Sequence, residues 1–338
     1  MRFKLLGNSG LRVSEICLGT MTFGEEWGWG ADKKTSKAIF DHYANLGGNF
    51  IDTANRYTEG TSERFVGEFV KSDRDHFVVA TKYTLFDKPN DLNYAGNHRK
   101  NMMRSVEASL SRLRTDFIDL LWVHMWDGTT PIDEIMKGME DLVRQGKVNY
   151  IGISDTPAWI VSRANTIAEF RGWAKFVALQ VEYSLLQRTP ERDLLPMANS
   201  LGLALTPWAP LGGGALTGKY LKGESAGRVK EESTRRSERS NRIAQVVVDI
   251  AEELGVSPAQ LATRWTMQQS HTSIPIVGAR KLDQVVDSMK AAEVSIPEEA
   301  MTRLNDASAI ELGFPHDFLK QDGVKHVSFG GDRDKLDF

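Results

Sequence analysis

Apolar positions along this chain fall into two alternating patterns. Short, nearly continuous apolar runs recur as "EICLGT" (15–20), "NFIDT" (49–53), "FVVATK" (77–82) and "FIDLLWVH" (117–124). They continue as "VNYIGIS" (148–154), "FVALQVEY" (176–183), "LALTPWAP" (203–210) and "SIPIVGA" (273–279). Runs of this kind predict strands buried on both faces. The stretches between them have helical spacing. "TSKAIFDHYANLGG" opens on Thr as its predicted cap and stops at Gly, and "SERFVGEFVKS" follows the second run. "NMMRSVEASLSRLR" repeats its apolar residues at three and four, and "PIDEIMKGMEDLVRQGK" opens with Pro and closes on Gly. "PAWIVSRANTIAEF" and "ERDLLPMANSLG" keep the alternation, the second weakened by Pro196. "RSNRIAQVVVDIAEELG" and "SPAQLATRWTMQQ" precede the last run.

Such an alternation, repeated for every run, predicts an α/β protein built as a (β/α)₈ TIM barrel with right-handed crossovers. The expected organisation is a single domain over 1–338. It comprises an N-terminal hairpin in 1–14, the barrel over 15–290, and a C-terminal helix and tail over 291–338. A dinucleotide-binding Rossmann sheet is disfavoured. "GTMTFG" after the first run and "GGGALTG" at 212–218 both lack the G-x-G-x-x-G spacing. Two segments stand outside the repeat: the mixed-charge stretch 221–239, and the tail beyond 310. On a barrel, either could cover the C-terminal mouth, and the sequence alone leaves that open.

Composition narrows the function. The 338 residues are 41% hydrophobic and 26% charged, with a net charge of −3 and a pI near 6.2. That balance gives no electrostatic drive toward nucleic acid or an anionic membrane. The single cysteine, Cys17, lies in an apolar run and excludes a disulfide framework or a thiolate-rich metal site. No metal is expected. No apolar run approaches the length of a membrane span, and the N-terminus turns polar too soon for a signal peptide. A cytoplasmic protein is expected, and an oligomer is compatible with this composition.

In a barrel, chemistry collects at the C-terminal strand ends and the loops after them. Asp52 ends the second run, Tyr57 follows five residues later, Lys82 ends the third and His124 the fourth. Each has a plainer reading alone: a packed tyrosine, a snorkelling lysine, a core histidine. Together they make a proton donor, a cation that lowers the phenol's pKa, a carboxylate partner for that cation, and an imidazole to polarise a substrate oxygen. A proton donor aimed at a carbonyl, without nucleophile or metal, needs a hydride source such as a nicotinamide cofactor.

With "LGTMTFG", "NFIDTANRY", "TK", "LLWVH" and "GARKLDQ" quoted together, the chain resembles the aldo-keto reductase superfamily. Within it the chain resembles the aryl-alcohol dehydrogenase-like and potassium-channel β-subunit-like branches. The resemblance implies NADPH-dependent reduction of aldehydes and ketones, with a tetrad of Asp52, Tyr57, Lys82 and His124. It implies NADPH in preference to NADH, bound in extended form at the mouth. Gly19, Thr20, Met21 and Asp52 would lie along the nicotinamide, with Ser154 and Gln180 at its carboxamide and Trp208 stacked on its ring. Ala209, Pro210, Leu211, Gly213 and Lys219 would follow the pyrophosphate. Gly278, Arg280, Gln284 and Ser288 would take the adenosine and its 2′-phosphate. Arg280 at a helix start also draws notice by itself, since a cation there opposes the helix dipole unless it meets a phosphate. Two positions depart from the family pattern. Asp155 stands where Asn is usual, so the carboxamide contact must be rearranged, because a carboxylate accepts but does not donate. Ser288 replaces an adenine-binding Asn.

The expected substrate wall is aromatic: Trp27, Trp29, Tyr83, Phe86 and Trp126. It suits an aromatic or medium-sized apolar aldehyde, although the tryptophans can equally pack on the barrel. Arg56 beside Tyr57 fits either an anionic substituent or a salt bridge at the surface. Two other functions use the same residues differently: a Schiff-base aldolase with Lys82 as nucleophile, and a non-catalytic NADP(H)-binding sensor or partner subunit.

Overall fold

A computed structural model of the chain describes residues 1–222, 233–269 and 272–337. A hairpin of β1 (Phe3–Leu5) and β2 (Arg12–Ser14) precedes eight parallel strands. These are β3 (Cys17–Gly19), β4 (Phe50–Asp52), β5 (Val78–Tyr83), β6 (Ile118–Val123), β7 (Val148–Ser154), β8 (Phe176–Glu182), β9 (Ala204–Trp208) and β10 (Ile276–Gly278). The sheet runs β10-β3-β4-β5-β6-β7-β8-β9. Leu205 joins its two ends, donating its N–H to the Thr272 carbonyl at 2.7 Å and accepting the Ile274 N–H at 2.8 Å. The eight runs read from the sequence are the eight barrel strands.

The helices lie outside: α1 (Lys33–Asn45), α2 (Thr61–Phe69), α3 (Arg99–Leu113), α4 (Ile132–Arg144), α5 (Ala158–Arg171), α6 (Leu194–Ser200), α7 (Glu238–Glu253), α8 (Pro258–Met267), α9 (Leu282–Met289) and α10 (Glu298–Ser308). Helix α1 begins two residues before its expected Thr cap. Asp32 accepts the Thr35 N–H at 2.7 Å and takes the capping role, because its carboxylate is the stronger acceptor. Pro196 sits in the first turn of α6, where its missing N–H has no intrahelical partner to lose.

Strand alternation divides the apolar residues into two cores. Cys17, Phe50, Val78, Ala80, Leu120, Trp122, Ala178, Ala204 and Ile276 point into the barrel, with Leu6 and Val13 of the hairpin region plugging its floor. Their neighbours Leu18, Ile51, Val79, Leu121, Ile153, Leu179 and Val277 point outward and pack under the helices. Trp122 is fully buried and fills the barrel so tightly that a Cβ on Gly152 of β7 would lie 2.4 Å from its ring. Only glycine fits there.

The tail beyond α10 is mostly exposed, with Phe314 at 84% and Val327 at 75%. Of the charged segment 221–239, residues 223–232 lie outside the described residues. Among the described residues, no helix is long and apolar enough to cross a membrane.

Candidate active site

The inward positions of each strand, carried to its C-terminal end, form the floor of the mouth. Phe50 leads to Asp52, Val78 and Ala80 to Lys82, and Leu120 and Trp122 to His124, each two residues apart. Lys82 is fully buried and Asp52 is 3% exposed. The Lys82 ammonium pairs with Asp52 Oδ2 and donates to the Thr53 carbonyl at 2.9 Å and the Tyr57 hydroxyl at 3.0 Å. Three acceptors thus satisfy its three N–H groups. The other Asp52 oxygen accepts from Gln180 Nε2 at 3.1 Å. Tyr57 reaches over this group from the loop after β4, its ring edge-on to His124 with centroids 6.0 Å apart.

The residues expected to face a nicotinamide line the same rim. Gly19 is in register with Asp52, and Thr20 donates its hydroxyl to the Asp52 carbonyl at 2.9 Å. Met21 follows, half-buried. Ser154 is buried, and its hydroxyl has no hydrogen-bond partner. Trp208 donates its indole N–H to Asp155 Oδ1 at 3.2 Å. After β9 the chain turns through Ala209 (φ 54°) into Pro210, Leu211 and three successive left-handed glycines, Gly212, Gly213 and Gly214. A Cβ at Gly214 would sit 2.9 Å from Lys219 Nζ, so bare backbone and the ammonium share one small space. This cradle and the orphaned Ser154 hydroxyl fit an NADP(H) molecule. At the end of β10, Gly278 pairs with Gly19, and Gln284 turns its side chain back to accept the Arg280 N–H at 2.9 Å. Arg280 is half-buried, and Ser288 is buried on α9.

Of the five aromatic residues expected to line the pocket, Trp27 lies edge-on to Tyr57 at 6.4 Å and 5.6 Å from Trp29. Phe86 packs on the Arg56 guanidinium at 4.4 Å. Trp126 meets Trp159 edge-on at 5.9 Å, on the side of β6. Tyr83 is not brought to the mouth. It follows the inward Lys82, so its side chain points out of the barrel wall into the outer core, where its hydroxyl donates to the Asn97 carbonyl at 3.2 Å. Strand alternation overturns its expected place in the wall.

The model of the aldo/keto reductase family matches residues 15–309. The chain belongs to this family. A norsolorinic acid reductase of Aspergillus flavus is 38% identical, covering 93% of this chain and 83% of its own length. The aryl-alcohol dehydrogenase [NADP(+)] of Phanerodontia chrysosporium is 40% identical, over 93% and 87%. A norsolorinic acid reductase of Emericella nidulans is 39% identical, over 92% and 82%. These relatives place the chain in the aryl-alcohol dehydrogenase-like branch.

Burial dominates the electrostatics of this aldo/keto reductase site. It raises the Tyr57 phenol above its ordinary pKa of 10.0. Lys82 works in the opposite direction, as expected, but does not outweigh burial, and Asp52 pushes the phenol further up. The net direction is the reverse of the expected lowering. Burial also works against the Lys82 cation, yet Asp52 and Tyr57 outweigh it and hold the ammonium charged. His124 is driven well below 6.5 by burial and by the Lys82 charge, leaving a neutral imidazole.

Sequence reading missed the frame that holds this family's histidine loop here. Asn97 is fully buried and donates its side-chain amide to the Thr84 hydroxyl at 3.0 Å and the Met125 carbonyl at 2.9 Å. Its side-chain oxygen accepts the Asp127 N–H at 2.7 Å, and its own N–H goes to Asp127 Oδ2, also at 2.7 Å. Thr84 in turn accepts the His124 N–H at 3.3 Å. Nothing about an Asn inside the polar loop "DLNYAGNHRK" marks it as a clamp. Glu182, by contrast, lies two residues beyond Gln180 on an inward register, and it meets Arg235 from the segment after β9 at 2.5 Å.

Proposed function

We propose that this oxidoreductase reduces aldehydes and ketones to alcohols with NADPH, and that Tyr57 protonates the carbonyl oxygen. The observation carrying this reading is the Lys82 ammonium, bonded at once to Asp52, the Thr53 carbonyl and the Tyr57 hydroxyl. Its raised pKa keeps the phenol protonated across the neutral range, as an acid must be before it acts. The fixed ammonium then stabilises the phenolate left behind, with no reorganisation needed. Neutral His124 is suited to donate an N–H to the same substrate oxygen, orienting it toward Tyr57. A bound NADPH supplies the hydride, and the orphaned Ser154 hydroxyl, Trp208 and the Gly212–Gly214 cradle are the residues suited to hold it. Arg280 supports NADPH over NADH, since a guanidinium pairs well with a 2′-phosphate.

An aromatic aldehyde is the favoured substrate class. The aromatic wall beside Tyr57 supports it, as does the likeness to an aryl-alcohol dehydrogenase. The same ion pair argues against a Schiff-base role for Lys82, because a nucleophilic amine must be neutral.

The test is NADPH consumption with a panel of aromatic and aliphatic aldehydes, for the wild type and Tyr57→Phe. Turnover that falls about 10²–10⁴-fold in the variant, with NADPH binding retained, supports the mechanism. NADPH binding without turnover of any carbonyl would instead favour the non-catalytic sensor.

A further inference from the structure

Arg56 precedes Tyr57 and is the cation of the aromatic wall. Its guanidinium carbon lies 4.4 Å from the Phe86 ring centroid and 5.9 Å from that of Trp27, so the two rings flank it. Trp27 in turn stands edge-on to Tyr57. Unpaired, a guanidinium so placed would draw anionic aldehydes to the site.

It is not unpaired. Glu59 forms an ion pair with Arg56 through Oε2, and its other oxygen accepts the Trp27 indole N–H at 3.1 Å. The backbone is bent to put that carboxylate there. Thr58 and Glu59 are consecutive non-glycine residues in the left-handed region, at φ 45° and 54°. Such a conformation persists only where its surroundings impose it. Here the Thr58 hydroxyl donates to the Phe23 carbonyl at 2.6 Å and accepts the Ser62 N–H at 3.2 Å. A strained turn, a hydrogen bond to a pocket tryptophan and an ion pair converge on one side chain.

We infer that Glu59 is a specificity-determining residue: it cancels the Arg56 charge, so that the wall beside Tyr57 takes uncharged aromatic carbonyls and gives no advantage to carboxylated ones. The inference rests on the reductase reading and deepens it. A planar ring can lie along Trp27 and Phe86, and a carboxylate on that ring meets Arg56 and Glu59 together, with no net charge to attract it.

Glu59→Gln tests this with little change of shape, since glutamine keeps an acceptor for the Trp27 N–H while losing the charge. The readout is the ratio of kcat/KM for 4-carboxybenzaldehyde to that for benzaldehyde, which share a ring and differ by one charge. Glu59→Gln should raise this ratio about fivefold, mainly through KM, and the gain should shrink in high salt. Adding Arg56→Met to Glu59→Gln should abolish it. An unchanged ratio in Glu59→Gln overturns the inference, and so does a gain that survives the loss of Arg56. Binding of benzoate against benzamide, followed by tryptophan fluorescence, reads the same preference without turnover. If the wild type reduces no carbonyl of the wider panel, the reductase reading fails. If benzoate gains nothing over benzamide in Glu59→Gln, the role of Glu59 fails.

Discussion

The Asp155 carboxylate holds the Trp208 indole by its N–H at 3.2 Å, tying the end of β7 to the end of β9 over the end of β8. Asp155 sits at φ 39°, a left-handed position that Asp and Asn tolerate better than most residues. Although the residue is exposed, protein crowding its carboxyl raises the pKa above the ordinary 3.8, against the pull of the Trp208 N–H and the Lys82 charge. The carboxylate therefore fixes the plane of the Trp208 indole at the mouth.

Removing that acceptor should loosen the ring. Asp155→Ala is expected to weaken NADPH binding about tenfold, the scale of one hydrogen bond to a charged group. Its near-UV circular dichroism should lose part of the tryptophan signal. Asp155→Asn, which keeps an oxygen in place, should show a smaller effect. Identical spectra and affinity in Asp155→Ala would mean that the bond does not position Trp208.

The Tyr83 hydroxyl bonds to the Asn97 carbonyl, and the Asn97 side chain bridges the loops after β5 and β6. Tyr83→Phe should cost about 1 kcal/mol in a urea titration and leave the KM for an aromatic aldehyde unchanged. A wall residue would move KM instead. Asn97→Ala strands the half-buried Asp127 N–H and frees the Met125 carbonyl, with an expected cost of about 2 kcal/mol. It should also lower kcat, since the His124 segment loses its anchor. A drop in KM-governed steps alone, with stability unchanged, would contradict the clamp.

Lys82 and Tyr83 show what the sequence made legible and what it hid. Eight apolar runs with helices between them were enough to place strand ends, and strand ends were enough to bring Asp52, Lys82 and His124 to one floor. The alternation that turns Lys82 inward also turns Tyr83 outward, so its true place could have been read from its neighbour. Asn97 could not. Its five side-chain and backbone bonds depend on the paths of two irregular loops, which no periodicity encodes. Glu59 is hidden for a related reason: its meeting with Arg56 depends on left-handed φ angles that nothing in "RYTEG" requires. The direction of the Tyr57 shift needed magnitudes as well as partners. The cation was foreseen, but the depth of burial that outweighs it was not.

His124 makes a prediction about stability and pH. Burial and the Lys82 charge hold its folded pKa well below the ordinary 6.5 that it regains on unfolding. Between those values the unfolded chain binds a proton that the folded chain refuses, so stability falls as pH drops through that window. Above the unfolded pKa the contribution is fully present, and below the folded pKa it is lost. Lowering the pH from about 7.5 to about 5.5 should therefore cost stability from this one imidazole, on the order of 1 kcal/mol. Urea midpoints at the two pH values, for the wild type and His124→Gln, isolate the term. The variant should be less stable at the higher pH, because a half-buried side chain has been replaced, but its further loss on acidification should be smaller by about that amount. Equal losses in the two proteins would show that His124 carries no such linkage, and that its imidazole is charged or solvated in the folded state.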